Sequence, residues 1–339
     1  GKQCIAESRG STNTLTMYAD FETLLVSSPA PCVLHVQINR PKKRNAMNAK
    51  FWREFRECFE LISEDTGVRA VVVSGAGDHF SAGLDLADTT NFDAVEKATR
   101  DVARRAFRFR KLALAMQESF TALERCPQPV IAAIHGACVG GAVDLACACD
   151  VRLCSEDVRF SIAEVKVGLA ADVGTLQRMP KIVGNESLCR ELAYTGRAFG
   201  AAEAVRMGFV SRAVVVAAPP AAAGRPGDVV AAGAGAARRS GRAEVVEASL
   251  LTASEIAQQS PVAVFGTKRN LIYARDHAVG DGLEYAATWS GAALQAGDLG
   301  TAMGAAAAAG KPASTKRKGR RGGAGAGAGS GSYPPFSKL

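Results

Sequence analysis

A short alternation of apolar and polar side chains marks the first strand that the sequence predicts. Residues 33–38 (VLHVQI) carry apolar side chains at every second position, with His35 and Gln37 between them, which is the period of a strand with one buried face. Asn48 then precedes a segment, 51–62, whose apolar residues recur at helical spacing, and asparagine is a favoured helix cap. The pattern therefore predicts a half-buried strand followed by a capped amphipathic helix.

Further along the chain, apolar runs bounded by glycine or proline alternate with segments of helical period. Strands are predicted over 69–74, 130–134, 151–154, 159–162 and 209–214. Helices are predicted over 94–125, 142–149, 174–179, 186–194, 244–259 and 262–296. Strands that alternate with helices in this way are typical of an α/β fold.

Two segments, Ala217–Arg242 and Gly304–Leu339, are too poor in large apolar residues to offset the entropy of ordering them. We therefore predict an N-terminal extension (1–25), a folded core (26–216), a low-complexity insertion (217–243), a C-terminal helical region (244–303) and a disordered tail (304–339).

The net charge of the chain lies in those two segments. The whole sequence carries +8, of which the tail carries +7 and the internal segment +3, so the rest is close to −2. A strongly basic chain suggests nucleic acid as a partner, but here the folded part is not basic. We expect no nucleic-acid partner for the core.

Three further features of the sequence bear on the compartment. No apolar run reaches the roughly 18 residues of a membrane span, and the N-terminus lacks a secretory signal pattern. The nine cysteines are odd in number and form no CxxC pair, so we expect reduced thiols. The last residues, Ser337, Lys338 and Leu339, match the tripeptide that peroxisomal import receptors bind, so we expect a peroxisome or a related organelle such as a glycosome.

Two glycine-containing segments, His79–Leu86 and Val139–Ala142, follow predicted strands. Small residues there let a ligand approach the backbone closely, and two such segments that each offer an N–H group could form an oxyanion hole. Ordinary tight turns have the same spacing, so both explanations stay open. The sequence holds no P-loop, no nucleophile-elbow motif around Ser81 and no metal-ligand spacing among its four histidines.

Three carboxylates, Asp144, Glu164 and Asp172, stand among small and apolar neighbours. Each has an ordinary explanation: Asp144 near a helix N-terminus, Glu164 paired with Lys166 in solvent, and Asp172 as a helix cap. Carboxylates in apolar surroundings can also act as general acids or bases near neutral pH. Their closeness in sequence to the glycine segments favours a shared site.

The sequence resembles the crotonase (enoyl-CoA hydratase/isomerase) superfamily over roughly residues 25–300. The motifs that carry the resemblance are INRP with NAMN (38–48), HFSAGLDL (79–86), PVIAAIHGACVGGAVDLACACD (129–150) and EVKVGLAADVGTLQRMPKIVGN (164–185). The resemblance implies a spiral of repeated ββα units, a C-terminal helical region for oligomerisation, and a homotrimer or homohexamer. It also implies a fatty acyl-CoA thioester as substrate.

Matched by motif, the thioester oxygen would lie between the N–H groups of Leu84 and Gly141. Further substrate contacts would come from Ala82, Gly83, Asp85 and Leu86.

The Asp, Glu, Asp pattern at Asp144, Glu164 and Asp172 resembles the branch of the family that converts 3,5-dienoyl-CoA to 2,4-dienoyl-CoA. The resemblance then implies that Asp172 removes a proton from C2, that Glu164 returns one at C6, and that Asp144 supports the site. No cofactor or metal would be needed. The alternatives are an enoyl-CoA hydratase, a Δ3,Δ2-enoyl-CoA isomerase, and a non-catalytic relative that binds acyl-CoA or, through its basic arms, RNA.

Overall fold

The alternating segment at 33–38 forms the second strand of a six-stranded sheet in the computed structural model, which describes residues 15–215 and 241–309. The described ranges contain nine strands, which are β1 (Leu24–Ala30), β2 (Val33–Ile38), β3 (Ala70–Gly75), β4 (Val130–Ile134), β5 (Ala137–Val139), β6 (Val151–Ser155), β7 (Arg159–Ser161), β8 (Phe199–Gly200) and β9 (Arg212–Val214).

Eleven α-helices lie within the described residues. They are α1 (Ala49–Glu64), α2 (Thr90–Ala98), α3 (Val102–Arg125), α4 (Gly141–Ala148), α5 (Thr175–Ile182), α6 (Glu186–Thr195), α7 (Ala201–Arg206), α8 (Arg242–Ala257), α9 (Pro261–Asp276), α10 (Val279–Ala293) and α11 (Gly297–Ala309).

Two sheets share the strands. The larger has the order β1-β2-β3-β4-β6-β9, parallel except for the β1–β2 pair, and the smaller has the order β5-β7-β8. β4, β5 and α4 form one turn of a spiral, and β6, β7 and α5 form the next. This arrangement confirms the predicted α/β spiral of ββα units.

The predicted helix cap is present. The Asn48 side chain accepts a hydrogen bond from the N–H of Phe51, and α1 buries Phe51, Phe55, Phe59 and Ile62 in the main core. Because these residues lie on one stripe of the helix, they attach α1 to the sheet.

The prediction of one exposed face for β2 is wrong. His35 is buried, and its Nε2 lies 2.8 Å from Ser74 Oγ. The reason is α8, whose Val245 and Ala253 cover that face of the sheet in a second apolar cluster. Burial, and then the charge of Arg242, lowers the pKa of His35 to about 4, so the ring is neutral at physiological pH.

The segment predicted as one helix over 94–125 is two helices. Residues 99–101 separate α2 from α3, and the Asp101 side chain caps α3 by accepting a hydrogen bond from the N–H of Arg104. A side-chain oxygen that satisfies a free helix N–H starts a new helix within an otherwise helical sequence.

The C-terminal helices pack on the spiral through a buried lysine. Lys268 of α9 is 5% exposed, and its Nζ donates to Asp150 Oδ2 at 2.8 Å and to the carbonyl of Gln128 at 3.1 Å. The helical segment predicted over 262–296 is divided into α9 and α10, which residues 277 and 278 separate.

No helix in the described part of the chain is long and apolar enough to cross a membrane. The predicted N-terminal extension lies mostly outside the described residues, as do the insertion and the end of the tail with Ser337, Lys338 and Leu339.

Candidate active site

The two glycine segments meet in the fold. Gly83 has φ of +81°, and a Cβ added there would lie 2.4 Å from the carbonyl oxygen of Val139 and 3.2 Å from the nitrogen of Gly141. Such contacts leave no room for a side chain. A glycine at position 83 therefore lets the backbones of the two segments touch.

Two backbone N–H groups are left free at this contact. Gly141 is the first residue of α4, where N–H groups have no acceptor within the helix. Leu84 follows Gly83 in the sequence. On either side of it, the carbonyl of Gly83 accepts a hydrogen bond from the N–H of Met47 at 2.7 Å, and the N–H of Asp85 donates to the carbonyl of Met47 at 3.0 Å. Among the residues that the structure describes, the N–H groups of Leu84 and Gly141 donate no hydrogen bond. The geometry thus supports the oxyanion-hole explanation over ordinary tight turns.

Ser81 holds this segment in place. Its buried hydroxyl donates to the carbonyl of Asn45 at 2.8 Å and accepts from the N–H of Gly83 at 3.1 Å. The Asn45 amide in turn donates to the carbonyls of Ala76 and His79, both at 2.8 Å. Ser81 is therefore a structural residue, in agreement with its lack of a nucleophile motif.

Asp144 lies in the first turn of α4 and is 1% exposed. Its Oδ1 accepts a hydrogen bond from the N–H of Thr175 at 2.5 Å, whereas Oδ2 is buried without a partner. Burial and then the charge of Asp172 raise the pKa of Asp144 to about 6, against the opposing effect of hydrogen bonding to Thr175. Asp144 thus caps α5 as well as lying in α4.

Glu164 begins a short 3-10 helix over 164–167, and its side chain lies beside Gly140, the residue before α4. Its Oε1 lies 3.1 Å from the position that a Cβ on Gly140 would take, and its Oε2 is buried without a partner. Burial, followed by the charge of Asp144, raises the pKa of Glu164 to about 7. The expected pairing with Lys166 is absent from the described ion pairs.

Asp172 is the exposed member of the three acids, and it is not a helix cap. α5 begins at Thr175 with Gly174 at the cap position, so the ordinary explanation for Asp172 is wrong. Its backbone carbonyl accepts a hydrogen bond from Gln117 Nε2 at 2.7 Å. This contact fixes the segment that carries the carboxylate.

One cavity of about 310 Å³ brings the acids and the free N–H groups together. Leu84, Gly141, Asp144, Glu164 and Asp172 all line it. The residues that carry the two free N–H groups and the three carboxyl groups therefore line the same space.

The other predicted substrate contacts lie outside this cavity. Asp85 is bonded to Arg40, with Arg40 Nη1 at 2.9 Å from Asp85 Oδ2, and Leu86 is 64% exposed. The N–H of Ala82 donates to the carbonyl of Arg44. Ala82, Gly83 and Asp85 therefore shape the loop over residues 79–86 through contacts within the protein.

The sequence reasoning missed the apolar wall of the cavity. That wall consists of Trp52, Phe92, Phe109, Leu112, Ala113, Met116, Leu169, Ala170 and Val173. The spacing of 109, 112, 113 and 116 within α3 is helical and places these residues on one face. That spacing was the available signal, but nothing in it distinguishes a ligand wall from ordinary core.

No three histidine, cysteine, aspartate or glutamate side chains within 15–215 and 241–309 are grouped so that they could hold a metal ion.

Comparisons with known proteins agree with this geometry. A family model described as "Enoyl-CoA hydratase/isomerase" matches residues 30–218. Over 279 residues the chain is 49% identical to the mitochondrial delta(3,5)-delta(2,4)-dienoyl-CoA isomerase of Homo sapiens, covering 82% of this chain and 77% of that one. It is 37% identical to the peroxisomal delta(3,5)-delta(2,4)-dienoyl-CoA isomerase of Arabidopsis thaliana over 303 residues, covering 89% and 99% of the two chains.

A solved structure shows the same fold. The crystal structure of an enoyl-CoA hydratase from Bacillus anthracis superposes with a TM-score of 0.70 at 24% identity, covering 85% of this chain and 97% of that one.

Proposed function

The chain belongs to the enoyl-CoA hydratase/isomerase family, and from this premise we propose that it is a delta(3,5)-delta(2,4)-dienoyl-CoA isomerase acting on fatty acyl-CoA. The observation that carries the proposal is the meeting of Asp144, Glu164 and Asp172 in one cavity with the free N–H groups of Leu84 and Gly141. The names of the human and Arabidopsis relatives support it.

The N–H groups of Leu84 and Gly141 take the thioester oxygen in this reaction. Removal of a proton from C2 of a 3,5-dienoyl-CoA places negative charge on that oxygen, and two preorganised donors stabilise it. The electrons spread over an extended dienolate from the oxygen to C6. Without the two donors, a carboxylate is too weak a base to remove a proton beside a thioester.

The acids divide the proton transfers between them. Asp172 takes the proton from C2, and Glu164 gives a proton to C6, so the double bonds move from C3 and C5 to C2 and C4. The raised pKa of Glu164, about 7, suits a carboxyl that must hold a proton near neutral pH. Asp144 supports Glu164 through its charge, which is the second largest cause of that raised pKa.

Ultraviolet absorbance tests the proposal, because the 2,4-dienoyl product is conjugated with its thioester and the 3,5-dienoyl substrate is not. We expect a rising absorbance band with wild type and its loss in Asp172→Asn and Glu164→Gln. Glu60→Gln, at an exposed residue of α1 paired with Arg56, is the matched control. Absence of the band, with hydration of a 2-enoyl-CoA instead, would assign the protein as a hydratase. Inactivity on both substrates would favour a non-catalytic acyl-CoA binder.

The proposed reaction needs no cofactor, because a proton is relocated and the oxidation level of the substrate does not change. Protein dialysed against EDTA should retain its full rate. A loss of rate that added metal restores would contradict this part of the proposal.

We also propose that the chain assembles into a homotrimer or homohexamer through its C-terminal helices. α10 has no buried residue, and large apolar side chains are exposed on α9 and α10, at Leu271 (68%), Val279 (80%) and Leu283 (67%). Light scattering after gel filtration should give three or six times the chain mass. Leu283→Glu should shift it toward the monomer, and a monomeric wild type would contradict the proposal.

For the compartment we propose the peroxisome. The Arabidopsis relative is named peroxisomal, whereas the human relative is named mitochondrial. Residues 337–339 (SKL) support the peroxisome and imply binding by its import receptor. The full chain with a fluorescent protein inserted before residue 304 should enter peroxisomes, and the same fusion without residues 337–339 should stay outside them. Mitochondrial import of both fusions would refute the proposal.

A further inference from the structure

A buried carboxylate outside the cavity joins three helices behind the catalytic acids. Glu124, near the end of α3, is 8% exposed. Its Oε2 accepts hydrogen bonds from Arg178 of α5, from Nη2 at 2.9 Å and from Nε at 3.3 Å. Its Oε1 accepts from Nη1 of Arg275, near the end of α9. Each carboxylate oxygen thus serves a different helix.

Arg178 lies directly against the segment that carries Asp172. A Cβ added to Gly174 would be 2.0 Å from Arg178 Nη1, so the guanidinium occupies the space beside the Gly174 backbone. Arg178 Nη2 also lies 3.3 Å from Thr121 Oγ1. The position of the guanidinium is therefore set by α3, and it limits where Gly174 can lie.

Residues 172–175 link Asp172 to Asp144. Asp172 lies two residues before Gly174, and the N–H of Thr175 holds Asp144 Oδ1 at 2.5 Å. A second residue of α3, Gln117, holds the Asp172 carbonyl. A shift of residues 172–175 would therefore move Asp172 and release Asp144 together.

The charges of Glu124, Arg178 and Arg275 fit a role in positioning other residues better than a role in stability alone. Burial raises the pKa of Glu124, but the hydrogen bonds and charges of Arg178 and Arg275 outweigh that effect and hold it below its ordinary value. Glu124 is thus ionised between two cations. A buried ion triad adds little net stability compared with apolar packing, whereas the planar arginine fork fixes orientation.

We propose that Glu124 is a positioning residue for the proton transfers, which clamps Arg178 against Gly174 and, through Arg275, makes the placement of Asp172 and Asp144 depend on the docking of α9. The proposal rests on the proposed isomerase function for its kinetic test. The C-terminal helices then contribute to catalysis without touching the substrate.

The decisive variants are Arg275→Gln, Glu124→Gln and the double variant. Arg275 is at the edge of the network, with 27% of its side chain exposed, so its replacement leaves the core packed. We expect each single variant to lower kcat about 10-fold, because small displacements of catalytic groups have effects of up to about 100-fold. KM should stay within about twofold. The double variant should be no worse than the more severe single one, since both break the same link.

Three comparisons separate positioning from general loss of stability. Arg275→Lys, which keeps the charge, should recover part of the kcat. Amide hydrogen exchange over residues 172–178 should become faster in Arg275→Gln, while exchange in α1 should not change. Arg56→Gln, in an exposed ion pair with Glu60 on α1, should match wild type in both measurements.

Either of two results would overturn the proposal: kcat within twofold of wild type in Arg275→Gln and Glu124→Gln, or faster exchange throughout the protein with additive losses of kcat. If wild type itself shows no isomerase activity, the proposed function fails. The exchange at 172–178 then still decides whether Glu124 and Arg275 hold that segment.

Discussion

Asp144 Oδ1 accepts a hydrogen bond of 2.5 Å from the backbone N–H of Thr175. Asp144 and Gly141 lie in the same turn of α4, and Thr175 is the first residue of α5. One carboxylate therefore fixes the helix that presents the free N–H of Gly141 relative to the segment that carries Asp172. Its second oxygen has no described partner and is buried, so it remains available to influence Glu164.

Asp144→Asn tests the two roles of this carboxylate separately. Asparagine keeps an oxygen that accepts from Thr175 but removes the charge, which is one cause of the raised pKa of Glu164. We expect a stable protein whose kcat at neutral pH falls by up to about 10-fold, because a lower pKa leaves less of the Glu164 carboxyl protonated. In the pH–rate profile, the fall of kcat on the alkaline side should begin at a lower pH than in wild type. Asp144→Leu, which removes the hydrogen bond too, should lower both kcat and Tm; equal kcat for all three proteins would refute this role.

The pH dependence of wild type follows from Glu164. The proposed reaction needs its carboxyl protonated, and its pKa is raised to about 7. The kcat should therefore be on a plateau below pH 7 and fall as the pH rises above it, approaching a tenfold loss per pH unit. Steady-state assays between pH 6 and 9 measure this directly. A rate that stays constant to pH 9 would assign the proton donor to another group.

Glu164→Gln should make the protein more stable at alkaline pH while abolishing activity. The pKa of Glu164 is raised on folding from 4.5 to about 7, so the folded protein holds a proton that the unfolded chain releases. The stability from this proton is fully present below pH 4.5 and is lost as the pH rises through about 7. Glutamine has no charge to bury and avoids that loss.

After allowance for solvent screening, the advantage is about 1 kcal/mol, or a Tm increase of about 2–4 °C. Thermal unfolding at pH 8 and pH 5 measures it. The two proteins should differ at pH 8 and converge at pH 5; the same difference at both values would show that ionisation is not the cause.

The backbone contact at Gly83 gives a prediction about the oxyanion hole. Gly83→Ala places a Cβ 2.4 Å from the Val139 carbonyl oxygen, so the two segments must separate and the N–H groups of Leu84 and Gly141 with them. We expect kcat to fall about 100-fold or more, the usual effect of losing one oxyanion donor.

Gly208→Ala is the matched control, because Gly208 has a similar φ of +78° and a Cβ added there would lie 3.9 Å from the carbonyl oxygen of Ile182. It carries the same backbone cost without the clash. Circular dichroism and steady-state rates of both variants decide the matter. Similar rates for the two would mean that the clash does not reach the site.

The alternation and periodicity of apolar residues predicted most strands and helices, because these patterns follow from local geometry. The burial of His35 could not be predicted in this way, since α8 covers it from 207 residues later in the chain. The division of 94–125 into two helices depends on the capping side chain of Asp101. The periodicity of apolar residues does not show which distant segment covers a strand, or where a single capping side chain starts a new helix.

The same limit applies to the candidate site. Motifs identified Leu84, Gly141 and the three acids, and one cavity contains them all. Asp85 matched the same motif but is occupied by Arg40. The apolar wall at Phe109 and Met116 has no polar residue to mark it, and the link from Glu124 to Arg275 spans 151 residues. Contacts between segments far apart in the sequence could therefore be identified only from the structure.

The anchor of the C-terminal helices gives the last prediction. Lys268 is 5% exposed and donates to Asp150 Oδ2 at 2.8 Å. Asp150 also accepts from the N–H of Val130 at 2.7 Å. Lys268→Met keeps the length of the side chain but leaves that carboxylate without its cation. Breaking one partner of such a pair costs about 3 kcal/mol, which urea unfolding should detect.

Lys97→Met removes an exposed lysine that lies 3.6 Å from Asp93, and it should change the free energy of unfolding by less than about 1 kcal/mol. Because Lys268 also holds α9, its loss should lower the stability of the C-terminal helices first, so their amides should exchange faster than those of α1. A Lys268→Met protein as stable as wild type would show that apolar packing alone docks these helices on the spiral.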